Sequence, residues 1–504
     1  MKRISLFEEF KRARMERPNA PAFLVSSGDR YLPISWRQFT DDIAIIAFII
    51  EANVKNCAIG ILGENSYEWI VAHAACLFSS AIAVPVDVNL SADEIAKRLK
   101  AVNASVLVHS SLYSEKTHDV AAMMPGLITG SFGSRKTDFF LNAARKAIEL
   151  GLKTIWDADS VDVDRTSAIV FTSGTTSEPR GVELRIRGIE TFCDFAADNL
   201  PMHPGDRSLM LLPLHHIFGI ATTYLMLARG VALGVCPDFR RIYDAVERFR
   251  ANFLFLVPAL AEILASKIAS HGKTAAEALG SPIDWILTGG APQPKRTVER
   301  LADLGVKLIT GYGLTETTSL YSLTPSSGAH KPGSAGLSVG SRHPEVETAV
   351  SPEGELLIRG PNVMKGYYKM PDRTAQAIDS DGWFHTGDVG RIDEDGFVWI
   401  TGRKSRTIIL SSGKKIAPEE LEAKLLSIPG ILEAIVSGDG ATREVVATVY
   451  CEMSEEDAKR AVGEMNKDLP VHMRVSRVET RSEPFPKTAS GKIKLVPPDE
   501  IQTR

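Results

Sequence analysis

The sequence predicts an α/β protein. A large N-terminal domain of doubly wound mixed/parallel sheets plus a small β region is followed by a small α+β C-terminal domain. Three observations lead there. Short apolar, β-branched runs recur near 57–62, 81–86, 104–109, 167–171, 208–212, 231–235, 253–257, 284–288 and 306–310, with helix-period segments between them. Strands alternating with helices in this way argue for βαβ units and parallel pairing. After Ser319, proline and glycine become frequent around short strand-like runs at 354–359 and 396–400, the mark of a small antiparallel region. From 403 onward a separate strand–helix–strand pattern starts after the polar, basic break Gly402-Arg403-Lys404-Ser405-Arg406. Domains of 1–402 and 403–504 are therefore expected.

Taken in order, the chain opens with an amphipathic helix, then Tyr31–Ser35, then an isoleucine-rich helix. Ser35 with Gln38 three residues on marks that helix's start. Cys57–Leu62, Ser66–Ser79 and Ala81–Val86 form a strand, a helix and a strand, a βαβ unit with right-handed crossover. The most apolar long stretch, Trp69 to Val86, holds His73, Ser79, Ser80 and Pro85, so it reads as a core helix turning into a strand and not as a membrane span. Residues 113–165 read as a helix-rich, partly exposed connection. The C-terminal region should give strands at 407–411, 431–437, 444–451 and 474–479 and helices at 418–427 and 454–468.

A chain of 504 residues can bury a sizeable core, and 44% hydrophobic with 24% charged residues is ordinary for a globular protein. A net charge of -4 without a basic stripe gives no reason to expect nucleic acid. The five cysteines, at 57, 76, 193, 236 and 451, are scattered and never spaced C-x-x-C. That pattern argues for reduced thiols in a cytoplasmic protein, with neither disulfide framework nor zinc site.

The segment Ile169-Val-Phe-Thr172-Ser173-Gly174-Thr175-Thr176-Ser177-Glu-Pro-Arg180-Gly181-Val182 carries the strongest chemical signal. A buried strand delivers the chain into a turn of hydroxyls, glycines and one permanent cation. Successive backbone N–H groups with Ser/Thr hydroxyls suit a polyphosphate, and Gly174 and Gly181 allow close backbone approach. A surface Ser/Thr-rich turn is the plain alternative, and the Walker spacing is absent. Three further turns follow strand ends: Leu211-Leu-Pro-Leu-His215-His216-Ile-Phe218-Gly219, Thr288-Gly289-Gly290-Ala291-Pro292 and Gly311-Tyr312-Gly313-Leu-Thr315-Glu316-Thr317. Ligands of open α/β sheets gather beyond the carboxyl ends of strands, and four such turns on one sheet would make a site there. Pro292 is placed to open a helix. In the β region, Asp388 ends a glycine turn, where a carboxylate can accept from a ribose diol or cap the turn. Lys487, Lys492 and Lys494 lie in the tail, where a solvated basic loop is the plain reading.

In order and spacing, FTSGTTSEPRGV (171–182), LPLHHIFG (212–219), TGGAP (288–292), GYGLTET (311–317), GWFHTGDVG (382–390), GRKSRTIILSSGKKIAPEELE (402–422) and PKTASGKIK (486–494) resemble the adenylate-forming superfamily, and AMP-forming fatty acyl-CoA synthetases within it. The resemblance implies a two-step reaction in which a carboxylate attacks the α-phosphorus of ATP and a thiol, usually of coenzyme A, then displaces AMP. It implies that Thr172, Ser173, Gly174, Thr175, Thr176 and Arg180 hold the β- and γ-phosphates. Thr315 would meet the α-phosphate and Glu316 would carry Mg2+. Tyr312, between Gly311 and Gly313, would lie on the adenine against the wall of Gly289, Gly290 and Ala291. Asp388 and Arg403 would take the ribose hydroxyls, and Lys492 would bridge the acyl carboxylate and the α-phosphate. His216 would gate the acyl site, its alternative being a core-capping histidine. The resemblance implies that the small C-terminal domain is mobile, with a hinge near 403–406 that would fall at Ser405 and Arg406, and a rotation there would bring Ser411, Ser412 and Gly413 to the thiol. Ser177, Arg180 and Ser405 depart from the commonest residues at their positions.

Amino-acid-activating relatives usually carry an aspartate after the LP strand; His215, His216, Ile217 and Phe218 stand there instead, which argues against an α-amino substrate. Apolar walls from Phe218, Val257, Pro258 and Leu287 suggest a fatty or other hydrophobic acid, with an aromatic acid as the alternative. A carrier-protein phosphopantetheine is the alternative acceptor to coenzyme A, and a non-catalytic nucleotide binder is a remote third reading. No segment declares an oligomeric interface, although a homodimer is open.

Overall fold

The computed structural model describes residues 3–27, 30–132, 149, 155–157, 161–172, 179–236, 239–326, 331–410, 414–439, 444–486 and 493. Ser173, Gly174, Thr175, Thr176, Ser177, Ser411, Ser412, Gly413, Lys487, Lys492 and Lys494 lie outside them, as does most of 133–160.

By contact the chain falls into two compact units. The first is Met1–Thr348 with Ile358–Phe384, and the second is Ala349–Leu357 with His385–Arg504. The position 402/403 falls inside the second unit, at the end of the strand Val398–Arg403.

The first unit holds three mixed sheets. The alternating strands thus do not form one sheet, because period and length specify a strand but not its partner. The seven-stranded sheet runs, by strand, 366–367, 180–185, 166–172, 82–86, 58–62, 104–110 and 128–132. Its centre is the expected βαβ unit: Ala58–Leu62, wholly buried, pairs in parallel with Ile82–Val86, and Tyr67–Leu77 is the crossover helix. Buried apolar side chains such as Leu62, Val84, Leu99, Leu107 and Ile169 form its core. Within 113–165 the described part adds a helix, Ser114–Met123, and a strand, Ile128–Phe132. The second sheet has four strands, 30–35, 21–27, 232–235 and 207–210; the third has five, 253–256, 285–288, 307–312, 322–323 and 337–338. Ser35 caps the helix Trp36–Asn53 as expected, its hydroxyl accepting from Gln38 N–H at 3.2 Å.

In the second unit, strand 384–392 pairs antiparallel with 398–403, with Asp388 opposite Arg403. The remainder is a small α+β fold with strands Ile431–Gly438, Val445–Cys451 and Arg477–Arg481 and helices Pro418–Leu425 and Glu455–Lys467. Its own core gathers Ile416, Leu421, Leu425, Val436, Ala447 and Val449.

Candidate active site

The site is built first from the register of three parallel strands. Leu256, Thr288 and Thr310 stand side by side at the carboxyl ends of 253–256, 285–288 and 307–312. The segments that follow each end therefore emerge along one edge. Val257 and Pro258 open the helix Pro258–His271, with proline at its first turn, where its missing N–H costs nothing. Gly289 comes next to them, its N–H donating to the Leu256 carbonyl at 3.4 Å. A side chain at Gly289 would meet the Phe218 ring at 3.2 Å, so the glycine makes room for that aromatic. Gly290 has φ +85°, a conformation that favours glycine. Pro292 does not itself open a helix: Lys295–Asp303 begins after Pro294, because two more residues complete the turn.

The third segment reverses tightly. Ser319 N–H donates to the Leu314 carbonyl at 2.8 Å and Tyr321 N–H to the Tyr312 carbonyl at 2.9 Å. Thr318 and Ser319 adopt positive φ of 49° and 63°. A Cβ at Gly313 would sit 2.3 Å from the Ser319 carbonyl carbon, so only glycine fits there. Thr315 and Glu316 lie in the short helical turn this reversal creates. Tyr312 packs on Tyr321 with ring centroids 5.2 Å apart.

Glu316 is held from two sides. Met364 N–H donates to its backbone carbonyl at 2.7 Å, and the Tyr367 hydroxyl donates to its Oε1 at 2.9 Å. Burial first, then the Glu316 charge, pushes the Tyr367 phenol well above its ordinary range, so it stays a donor. The Arg180 guanidinium lies 5.7 Å from the centre of the same ring. Arg180 and Thr172 are an antiparallel pair that closes the predicted phosphate turn, so the strand returns as a hairpin and not into a helix. Gly181 belongs to the returning strand, where a Cβ would come 2.8 Å from Ile169, so sheet packing alone already requires a glycine there. The four turns therefore stem from three sheets and not from one.

The histidine segment follows strand 207–210 and is fixed by a residue that motif reading missed. Asn65 Nδ2 donates to the carbonyls of Met210 (3.1 Å) and Leu212 (2.9 Å), and its Oδ1 accepts from Leu214 N–H at 3.1 Å. His216 caps the helix Ile217–Ala228, and its ring centroid is 4.3 Å from that of His215. His215 is partly buried, 12% of its side chain exposed, with Nε2 3.7 Å from Asp87, beyond hydrogen-bond range; desolvation lowers its pKa, against the raising effect of Asp87.

In the second unit, Arg403 Nε sits 2.7 Å from Asp388 Oδ1, and the Asp388 side chain is only 5% exposed. The pair presents a carboxylate and a guanidinium with fixed geometry, suited to a diol. Beside it, Lys404 Nζ meets Glu355 at 2.7 Å. Ser405 shares a short helical turn with Lys404 and Arg406. Arg406 is clamped by Glu419 (2.9 Å) and Glu422 (2.6 Å) and donates to the Val436 carbonyl at 3.3 Å.

The donor set fits a hard divalent cation. Among the described residues no three His, Cys, Asp or Glu gather into a metal cage. Magnesium needs no such cage, since it keeps waters and is held by one or two carboxylates with substrate phosphates. Glu316, oriented by a phenol, can serve as that carboxylate. No described helix is long and apolar enough to cross a membrane.

A family profile described as AMP-binding enzyme matches residues 10–368. The chain is 31% identical over 476 residues to 4-coumarate–CoA ligase 2 of Oryza sativa subsp. japonica, covering 86% of this chain and 81% of that one. It is 30% identical over 387 residues to 2-succinylbenzoate–CoA ligase of Bacillus velezensis, with 75% and 74% covered. With the long-chain-fatty-acid–CoA ligase FadD13 of Mycobacterium tuberculosis it shares 26% over 454 residues, 87% of each chain. Among solved structures, ATP-bound MatB from Rhodopseudomonas palustris superimposes with TM-score 0.82 at 23% identity, covering 98% and 97% of the two chains. A hairpin-borne cation, a phenol-held glutamate and a glycine-walled strand edge thus occur in a chain that belongs to the AMP-binding enzyme family, the adenylate-forming group that includes acyl- and aryl-CoA ligases.

Proposed function

We propose that this chain is an AMP-forming acid–thiol ligase that activates a hydrophobic, preferably fatty, carboxylic acid with ATP and passes the acyl group to coenzyme A. The observation that carries the reading is the fixed Glu316, tied to Tyr367 beside Arg180 at the mouth of the Thr172–Arg180 hairpin. A carboxylate for a metal and a cation for a polyphosphate are what two anionic substrates need in order to meet.

In the first step the acid's carboxylate oxygen attacks the α-phosphorus, the bond to the β-phosphate breaks, and pyrophosphate leaves. Arg180, with the hydroxyls of 172–176, would hold the departing phosphates, and Thr315 the α-phosphate. A bound Mg2+ would supply charge neutralisation, with Glu316 as its protein ligand. Tyr312 and the 289–291 wall would seat the adenine, Asp388 with Arg403 the ribose, and Lys492 the charge developing between acid and phosphate. In the second step the coenzyme A sulfur attacks the acyl carbonyl carbon and AMP leaves with the bonding pair. A rotation at 403–406 would exchange Lys492 for the 411–413 loop. With Arg406 clamped to Glu419 and Glu422, Ser405 is the residue of the expected pair best suited to pivot.

The fatty preference is supported by the apolar helix Ile217–Ala228, which carries Phe218 in its first turn, and by the likeness to FadD13. An aryl acid is the second reading, favoured by the higher identity to the 4-coumarate and 2-succinylbenzoate ligases. Thioester formation from coenzyme A with paired C16 and cinnamate-type acids decides between them. Faster turnover of the aryl acid would reverse the preference, and thioester formed only on a carrier protein would replace coenzyme A as acceptor.

A further inference from the structure

The run Val363-Met364-Lys365-Gly366-Tyr367-Tyr368 entered none of the motifs read from the sequence, yet it joins two parts of the site. Gly366–Tyr367 is a two-residue strand that pairs antiparallel with 180–185, Tyr367 opposite Val182. Tyr368 N–H donates to the Gly181 carbonyl at 2.8 Å, which locks the run to the residue after Arg180. On the other side, Met364 N–H and the Tyr367 hydroxyl both reach Glu316, which belongs to the turn after a strand of a different sheet. Tyr367 is 7% exposed, so its ring is fixed by packing, and its backbone N–H is itself bound to Thr374 Oγ1 at 2.9 Å.

We propose that Tyr367 is the positioning residue that sets the spacing between the metal-binding carboxylate Glu316 and the polyphosphate cation Arg180. The inference rests on the nucleotide reading above. The phenol oxygen donates to Glu316 and is hydrogen-bonded by the Arg180 side chain, whose guanidinium lies 5.7 Å from the ring centre, so one residue touches both groups. Holding both groups before the nucleotide arrives removes their ordering cost from the binding step. The arrangement also gives a reason for arginine at position 180: a planar guanidinium packs on an aromatic face, which a compact ammonium does less well.

The test is calorimetric binding of α,β-methylene-ATP with magnesium and with EDTA, on the full chain. Wild type should bind more tightly with magnesium. Tyr367→Phe keeps the ring and loses the phenol's bonds to Glu316 and Arg180, so magnesium-supported affinity should fall roughly tenfold to a hundredfold, the worth of one hydrogen bond to a charged group, and affinity in EDTA by a clearly smaller factor. In a Glu316→Gln background the same change should add only the smaller loss seen in EDTA. An equal loss with and without magnesium, or no loss, overturns the proposal. Arg180→Lys keeps the charge and leaves the phenol in place; it should weaken binding of inorganic tripolyphosphate several-fold, and unchanged binding overturns the ring's part even if the phenylalanine variant does not fold. A wild type without any magnesium-dependent gain overturns the nucleotide reading together with this inference. A normal gain in both wild type and Tyr367→Phe overturns this inference alone.

Discussion

Asn65 shows how much one side chain can fix. Its three hydrogen bonds hold 210–214 and so aim His215 and His216. Asn65→Ala leaves a buried N–H and two carbonyls without that partner, an expected loss of about 2–3 kcal/mol in stability together with a drop in kcat/KM for the acid; urea titration and steady-state kinetics check it. Glu190 gives a pH signature. Burial lifts its carboxyl to about 7, although it accepts the Leu6 N–H at 2.9 Å. The folded chain therefore holds this proton more tightly than the unfolded one. The contribution is fully present below the ordinary value of 4.5 and is lost as pH rises through 7. The melting temperature of Glu190→Gln, which still accepts from Leu6, should gain on wild type across that window; parallel curves contradict it. Hydroxyls, glycines and charges at motif spacing were legible in the sequence because the chemistry needs those types. Asn65 and Tyr367 were not, because their partners lie 145 or more and 51 residues away.

At the scale of elements, the edge that carries the candidate site follows from strand register, and glycine sets how close its turns approach. A Cβ at Gly219 would fall 2.4 Å from the Pro213 carbonyl oxygen. Gly219→Ala must push the 213–216 segment away from the first turn of Ile217–Ala228. We expect a stability loss of about 1–3 kcal/mol and a larger relative fall in acid kcat/KM, seen by comparing melting with kinetics. Loss of stability with unchanged kinetics would show that the histidine segment does not serve the reaction. Element positions were readable from β-branched runs and caps: Ser35 starts its helix, and the 57–86 βαβ unit stands where expected. Sheet membership was not readable. Strands 166–172, 207–210 and 307–312 carry similar apolar patterns but join three different sheets, a choice made by long-range packing.

For the whole molecule, the composition and the order of the motifs conveyed the two-part design, while the compact division at 384/385 left no mark in composition because 385–402 reads as ordinary strand. Arg406 ties its turn to Pro418–Leu425 with its side chain 17% exposed. Arg406→Ala strands two carboxylates and should cost about 3 kcal/mol in the second unit, measured by its own unfolding step. Ser405→Pro should slow thioester formation more than adenylation if the pivot lies there, and equal slowing contradicts that assignment. The central claim is lysine-dependent adenylation followed by transfer to a thiol. Its most direct test is pyrophosphate release with magnesium and ATP across fatty and aryl acids, with and without coenzyme A, in wild type and Lys492→Ala. Release with a hydrophobic acid is expected, with faster turnover and thioester formed when coenzyme A is added, and a fall of roughly a hundredfold to a thousandfold in the variant. Release that is unaffected by loss of Lys492, or no release with any acid despite tight ATP binding, would contradict it.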